Sequence, residues 1–384
     1  MSATDQRRTD ADLVVPFSDL VALSADVGDA LELAWKEVTA GASFIGGRQV
    51  ERFEEEWAAY CGAKHAVGVA NGTDAIQLTL RALGIGAGDE VIVPANSFIA
   101  TAEAVVLAGA TPRLVDVDPE TLLVTPDTIA PAINARTAAI IVVHLYGNVP
   151  AMDAIVDLAR TRQLALIEDA AQAHGSTWRG ARTGSLGVAG CFSFFPGKNL
   201  GAFGDGGAVV TDAAPLASRI QSLRNHGRLP GASHVHAAVG TNSRLDALQA
   251  AVLSAKLPRL DEWNRARRSA VAAYRRLLDP AIRTVRIDDD VESSFHQHVV
   301  RVPDRDLVRD GLTRRGIQTG IHYPIPCHLQ EPYAAYTPGP LPVAERAAGE
   351  ILSLPVFPHI TQGQVRYVSD CLNQLVGEAQ RHGG

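Results

Sequence analysis

The sequence predicts an α/β protein with a large, mostly parallel sheet domain and a smaller C-terminal α+β domain. Short apolar runs alternate with amphipathic stretches between residues 66 and 167. These runs are continuously apolar, which is typical of parallel strands that helices cover on both faces. After residue 190, two apolar runs flank a glycine-rich loop that is too short to contain a crossover helix.

The predicted elements follow this rhythm along the chain. Helices are expected at 26–40, 48–60, 73–83, 99–108, 126–133, 152–163, 215–224, 245–257 and 259–278, and strands at 66–70, 90–93, 113–117, 138–143, 164–167, 191–195, 207–211 and 295–302. Three regions follow: a segment at 1–45, frayed over its first dozen residues and packed on the small domain, a large domain at 46–255 and a small domain at 256–384.

Composition excludes several classes of protein. The 384 residues are 46% hydrophobic and 20% charged, with a net charge of −7, so a nucleic-acid-binding surface is not expected. No apolar run reaches the roughly 18 residues of a membrane span, and the N-terminus does not resemble a secretory signal. Four widely separated cysteines fit neither a metal site nor a disulfide framework. We therefore expect a cytoplasmic enzyme that contains free thiols and no metal.

Asp169 and Lys198 are the first two candidate catalytic residues. Asp169 follows the apolar strand 164–167, and carboxyl ends of parallel strands are where α/β sheets bind ligands. Its alternative role is a helix cap or a loop hydrogen-bond acceptor. Lys198 lies in a glycine-rich loop without the P-loop spacing, next to aromatic strand residues. Partial desolvation there would lower its pKa toward that of a nucleophilic amine.

A third signal is Asn71-Gly72-Thr73, which joins a short strand to a helix. Glycine lets the backbone approach an anion, and the helix N-terminus offers free N–H groups. A plain helix cap by Thr73 is the alternative. Together, the anion site, the strand-end Asp169 and the lysine 29 residues later meet the requirements of pyridoxal phosphate. The acid would keep the ring nitrogen protonated, and Lys198 would form a Schiff base and then move a proton.

Longer motifs extend this hypothesis. The stretches PFSDL, FIGGRQVERFEEEW, VANGTDAIQLTLRALGIGAGDEVIVPANSFIATAEAV, IEDAAQAHGS, FSFFPGKNLGAFGDGG, NSRLDALQAAVL and IHYPIPCHLQ occur in this order. In these motifs the chain resembles the DegT/StrS group of sugar aminotransferases, fold-type I pyridoxal phosphate enzymes, over nearly its whole length. That fold type has a large mixed, mostly parallel sheet.

The resemblance implies roles for individual residues. Lys198 would carry the cofactor, and Asp169 would pair with the pyridinium. The other implied cofactor-binding residues are Gln172 at the 3-oxygen, Phe98 on the ring face, Gly72, Thr73 and Ser193 at the phosphate, and Asn242 at the phosphate of the neighbouring subunit. A homodimer with shared active sites would follow. For Phe98, an ordinary core position at the start of a helix is the alternative.

The implied substrates are glutamate and a nucleotide-diphosphate keto-6-deoxyhexose, most often carried on dTDP and aminated at C3 or C4. Candidate substrate residues are Arg224, His226, Arg228 and Arg244 for the diphosphate, and His322, Tyr323 and His328 beside the sugar. Surface ion pairs for the arginines and structural hydrogen bonds for the histidines are the alternatives.

Two other functions share this scaffold. A sugar 3-dehydratase is disfavoured because that branch has histidine where this chain has Lys198. A non-catalytic regulator is disfavoured because the chain keeps the whole catalytic set and no helix-turn-helix region is evident.

Overall fold

The computed structural model describes residues 14–229, 231–232, 234–336 and 339–382. The segment at 1–12 that the sequence predicts to be frayed lies outside the described residues. The α-helices of the described part are α1 (Leu20–Ala25), α2 (Gly28–Gly41), α3 (Arg48–Cys61), α4 (Gly72–Leu83), α5 (Ala100–Leu107), α6 (Pro126–Ile129), α7 (Met152–Arg162), α8 (Ala214–Leu223), α9 (Ala247–Lys256), α10 (Leu260–Leu277), α11 (Arg305–Arg314), α12 (Pro342–Glu350) and α13 (Gln362–His382). Its strands are β1 (His65–Val69), β2 (Glu90–Pro94), β3 (Thr111–Val115), β4 (Thr137–Val143), β5 (Ala165–Asp169), β6 (Thr177–Trp178), β7 (Ala181–Arg182), β8 (Ala189–Ser193), β9 (Gly207–Thr211), β10 (Arg283–Thr284), β11 (Val291–Glu292), β12 (His298–Arg301) and β13 (Ile351–Leu354).

A seven-stranded sheet in the order β1-β9-β8-β5-β4-β2-β3 forms the large domain. Strand β9 is antiparallel to β1 and β8, and the remaining pairs are parallel, which confirms the predicted mixed, mostly parallel sheet. Alternate residues of β4 enter different cores: Ile141 packs in one cluster, and Ile140 and Val142 pack in another. Because both faces are buried, the strand needs an unbroken apolar run.

Several strand boundaries differ from the sequence prediction by one to three residues, and local contacts accompany the differences at β8 and β12. Strand β8 ends at Ser193, and the carbonyl of the next residue, Phe194, accepts a hydrogen bond at 2.8 Å from the N–H of Ala202 within the loop. The predicted strand at 295–302 shortens to β12 because Phe295 has φ of 42°, which interrupts the extended backbone.

Strands β10, β12 and β13 form a smaller antiparallel sheet near the C-terminus. The N-terminal segment packs in the same region: Val15 shares a hydrophobic cluster with Val300 of β12 and Leu352 of β13. Its backbone also forms a parallel bridge with Ile317 and exchanges hydrogen bonds with Gly316 and Gln318. The boundaries predicted at 45 and 255 remain predictions. All four cysteines are buried free thiols. None of the helices in the described ranges combines the length and the hydropathy that a membrane crossing requires.

Candidate active site

A cavity of about 530 Å³ lies where β4 and β5 end, between the large domain, the C-terminal region and the N-terminal segment. Its wall includes nine residues that the sequence predicts for the site: Gly72, Thr73, Phe98, Asp169, Gln172, Ser193, Lys198, His322 and Tyr323. In such sheets, ligand sites generally lie at the carboxyl ends of the parallel strands.

Asp169 is the last residue of β5, and its carboxyl group is buried. One oxygen accepts a hydrogen bond from Thr101 Oγ1 at 2.7 Å, and the other accepts from the backbone N–H of Ala171 at 3.2 Å. Burial raises the pKa of Asp169, while these donors and the charge of Lys198 oppose the rise. A cationic group in the cavity would therefore stabilise the ionised form of this buried carboxyl group.

Lys198 lies in the loop after β8, where its N–H donates to the carbonyl of Phe195. Burial lowers its pKa to about 8, and Asp169 opposes this shift. With this pKa roughly a tenth of the molecules carry a free amine at pH 7, far more than for an exposed lysine, and the free amine is the nucleophilic form.

The N-terminus of α4 approaches the end of β8 closely. Asn71 is the N-cap and accepts from the N–H of Asp74 at 2.8 Å, so the cap predicted as the alternative for Thr73 is in fact formed by Asn71. A Cβ on Gly72 would lie 2.7 Å from the Cβ of Ser193. The glycine thus brings the free N–H groups of the first helical turn beside the serine, an arrangement suited to a phosphate.

Gln172 and Tyr323 form another part of the cavity wall. Gln172 accepts from the backbone N–H of Tyr146 at 2.7 Å and donates to the hydroxyl of Tyr323 at 3.1 Å. The ring of Phe98 lies 5.4 Å from that of Tyr323, and its side chain is half exposed. An aromatic side chain with an open face suits stacking on a planar ligand, and its exposure argues against the alternative of a core position.

His322 closes the far end of the cavity. Its Nδ1 lies 2.9 Å from the hydroxyl of Ser353, and its ring stacks on Phe17 with centroids 5.7 Å apart. Burial and the nearby Lys198 lower its pKa to about 4, so it is neutral at neutral pH.

Six predicted residues lie away from this cavity: Arg224, His226, Arg228, Asn242, Arg244 and His328 do not contribute to its wall within the described part of the chain. Arg224 pairs with Glu54 and the carbonyl of Gly68, and His328 is buried against Glu345 at 3.0 Å. The alternatives predicted from the sequence are an ion pair for Arg224 and a structural hydrogen bond for His328, and these contacts are of those kinds. Asn242 and His226 are exposed on the surface.

Sequence reasoning did not identify Arg267 and His296, which both line the cavity. A signal existed for Arg267, because it lies on the buried stripe of α10 with Trp263, Val271 and Tyr274. A charged residue on a buried helix face indicates a special role. For His296 the sequence gives no comparable signal.

These residues fit pyridoxal phosphate on structural grounds. The close contact at Gly72 leaves a backbone approach for the phosphate, Asp169 is a buried carboxylate that needs a cation, and Lys198 is a buried lysine with a lowered pKa. The three functions that the cofactor requires are therefore present on one cavity wall.

Comparisons with known proteins agree with this geometry. The family model described as the DegT/DnrJ/EryC1/StrS aminotransferase family matches residues 27–373. The dTDP-3-amino-3,4,6-trideoxy-alpha-D-glucose transaminase of Streptomyces venezuelae is 46% identical over 365 residues, covering 94% of this chain and 96% of that protein. A pleiotropic regulatory protein of Geobacillus stearothermophilus is 43% identical over 374 residues, covering 96% and 99%. The crystal structure of S. venezuelae DesV with a ketimine intermediate superposes with a TM-score of 0.92 at 44% identity, covering 94% and 98%.

Fold and site together define a fold-type I aminotransferase that uses pyridoxal phosphate. The chain belongs to the DegT/DnrJ/EryC1/StrS aminotransferase family.

Proposed function

We propose that this protein transfers the amino group of glutamate to the C3 or C4 carbonyl of a nucleotide-linked keto-6-deoxyhexose, with dTDP as the carrier. The observation that carries the proposal is that Lys198, whose pKa is about 8, and the buried Asp169 line the same cavity. The relatives support the substrate class, since the Streptomyces enzyme is named for a dTDP-linked amino sugar.

Asp169, Lys198 and the N-terminus of α4 would each have a separate role in the reaction. Asp169 would hold the proton on the pyridine nitrogen, and Thr101 and Ala171 keep its carboxylate oriented for this. Lys198 would take a proton from one carbon and return it to another. When bound, pyridoxal phosphate supplies an electron sink for the carbanion. The N-terminus of α4 would hold the phosphate, which fixes the position at which Lys198 acts.

Arg267 supports an anionic amino donor such as glutamate. Its guanidinium donates to the carbonyls of Val356 at 2.7 Å and Phe295 at 3.4 Å, and its Nε has no partner in the described part of the chain. Burial lowers its pKa to about 10, so it is still a cation at neutral pH. No carboxylate of the described residues forms an ion pair with it, so a ligand carboxylate would supply the missing charge.

Both C3 and C4 are candidate positions of amination. The loop after Lys198 reads NLGAFGDGG. Many members of this group that aminate C4 have Thr-Gly-Glu-Gly-Gly in this loop instead, so the difference favours C3. The name of the Streptomyces relative also refers to a 3-amino sugar. Rotation of the sugar about an anchored diphosphate would suffice to exchange the two carbonyls, since only the one about 3 Å from the amine can react.

A homodimer with shared active sites is part of the proposal. Arg228 and Arg244, predicted for the diphosphate, lie outside the cavity of their own chain, as does Asn242. Large apolar side chains are exposed, among them Trp35 and Val239 at 60% and 86% of their surface. Exposed apolar area of this kind is typical of protein interfaces. The buried free thiols favour the cytoplasm as the compartment.

The decisive experiment supplies the holoenzyme with glutamate and follows the visible spectrum. The aminotransferase should convert the bound cofactor to its pyridoxamine form and release one equivalent of 2-oxoglutarate. Addition of dTDP-linked 3-keto and 4-keto 6-deoxyhexoses should then return the spectrum, and the product identifies the aminated carbon. An unchanged spectrum would indicate the regulator, and loss of a sugar hydroxyl without amination would indicate the dehydratase.

Subunit complementation tests the shared sites. Lys198→Ala and Asn242→Ala chains, each impaired alone, should regain activity when they are mixed, because one site of the mixed dimer has both residues intact. Scattering at micromolar concentration should give twice the mass of the 40.7 kDa chain. A monomer, or mixed dimers without regained activity, would refute this part of the proposal.

A further inference from the structure

Two buried hydroxyl groups lead from the segment between β2 and α5 to the carboxyl group of Asp169. Ser97 lies in that segment, and Thr101 lies four residues later, in the first turn of α5. The oxygens of the two hydroxyl groups are 2.8 Å apart, and Thr101 Oγ1 lies 2.7 Å from Asp169 Oδ2. Both residues are buried, with 3% of Ser97 and 1% of Thr101 exposed.

An ionised Asp169 fixes the direction of both hydrogen bonds. A carboxylate only accepts, so Thr101 donates its single hydroxyl hydrogen to Oδ2. The oxygen of Thr101 is then the acceptor, and the hydroxyl of Ser97 must donate to it. Protonation of Asp169 at Oδ2 would turn both hydrogens the other way. The hydroxyl hydrogen of Ser97 would then have no acceptor in the described part of the chain, which is unfavourable for a buried donor.

These donors matter because burial opposes the negative charge of Asp169. Burial is the largest effect on its pKa and raises it, and the hydrogen bond from Thr101 is the largest effect that lowers it. The N–H of Ala171 and the charges of Lys198 and His144 lower this pKa further. A hydroxyl group that accepts a hydrogen bond donates more strongly, because the bonds of a chain polarise one another. Ser97 therefore strengthens the main donor to Asp169 without contacting the acid.

We propose that Ser97 is a positioning residue that keeps Asp169 ionised through Thr101, and thereby keeps the proton on the ring nitrogen of bound pyridoxal phosphate. The inference rests on the role that the proposed function gives to Asp169 at that nitrogen. Ser97 also lines the cavity, but its one hydroxyl hydrogen is directed at Thr101. That hydrogen is therefore not available to a ligand.

Spectra of the holoenzyme with ¹⁵N in the cofactor ring test this role without a substrate. At neutral pH the resonance reports how the proton is shared between the ring nitrogen and Asp169. Thr101→Val removes the direct donor, so the ratio of protonated to neutral ring should fall by about tenfold or more. Ser97→Ala weakens that donor and should lower the ratio by about two- to fivefold. Thr101→Ser should keep the natural resonance. So should Thr79→Val, the matched control, whose buried hydroxyl on α4 donates to the carbonyl of Ala75.

A double variant shows whether Ser97 acts through Thr101. In the Thr101→Val background Ser97→Ala should change nothing further, because the route to the acid is already broken. An equal effect of Ser97→Ala in both backgrounds would overturn the proposal, and so would a Ser97→Ala resonance at the natural position. Asp169→Asn distinguishes these results from a failure of the proposed function. If Asp169→Asn leaves the resonance in place, Asp169 itself does not pair with the ring nitrogen, and the role on which the proposal rests is wrong.

Discussion

Burial shifts the pKa values of Lys198 and Asp169 away from those of exposed lysines and aspartates. Desolvation disfavours each charged form, so it lowers the pKa of the lysine and raises that of the acid. Each also stabilises the charge of the other. Neither pKa therefore shifts as far as burial alone would move it, and perturbed pKa values of this kind are typical of functional sites.

Replacement of Lys198 should separate binding of the cofactor from catalysis. Lys198→Ala should retain cofactor noncovalently and lose turnover by about a thousandfold or more, because both the covalent attachment and the proton shuttle disappear. Borohydride should fix the cofactor to the natural chain and not to the variant, as mass spectrometry would show. The same substitution at exposed Lys64 is the control and should behave as the natural chain. Retained covalent labelling in Lys198→Ala would place the attachment elsewhere.

At the scale of elements, the start of α4 requires a residue without a side chain at Gly72. The Cβ of Gly72→Ala would lie 2.7 Å from Ser193 Cβ and 3.3 Å from its Cα, so the helix or β8 must shift. We expect the affinity of the apoprotein for pyridoxal phosphate to fall by about tenfold or more. Gly28→Ala is the matched control, because Gly28 also begins a helix and its added Cβ would meet nothing within 4 Å. Equal affinities in equilibrium titration would remove Gly72 from the phosphate site.

Sequence patterns predict elements well where packing is regular. The apolar run of β4 and the amphipathic stripe of α3 are repeated signals, so their positions are correct within about one residue. Patterns fail where a loop contact determines a boundary, as at the end of β8, where the carbonyl of Phe194 accepts from Ala202 within the loop. Strand-end position, loop position and motif resemblance identify Asp169 and Lys198, and the structure places both on the cavity wall. None of these signals reveals His296, whose ring contacts an amide of Asn199 that is distant in sequence.

At the scale of the whole molecule, buried histidines couple stability to pH. Burial lowers the pKa of His174 and His298 to about 3 and that of His322 to about 4. An unfolded histidine has a pKa of about 6.5. Between these values the unfolded state binds more protons, so stability falls as pH falls from about 6.5 toward 4.

The expected dependence is steep. Burial also lowers the pKa of His296 well below its usual value, so four histidines act together. Each contributes a slope of about 1.4 kcal/mol per pH unit once its unfolded form is protonated, so unfolding of the holoenzyme should take up about four protons at these histidines near pH 5. Urea titrations between pH 6.5 and 5 measure this slope. His298→Gln, outside the cavity, should reduce it by about one proton, and His234→Gln on the surface is the control. A slope that His298→Gln leaves unchanged would contradict the assignment.

The cavity wall draws on residues from Phe17 to Val356, and this has a consequence for protein synthesis. All strands of the central sheet are present once Thr211 has left the ribosome. At roughly 5–20 residues per second, translation needs on the order of ten seconds more to reach Val356. During that interval the nascent large domain has its lysine loop in place while the wall containing Arg267 and His322 is still incomplete. Capture of pyridoxal phosphate in a closed cavity therefore awaits almost the entire chain, so a ribosome stalled before Val356 would display an open site.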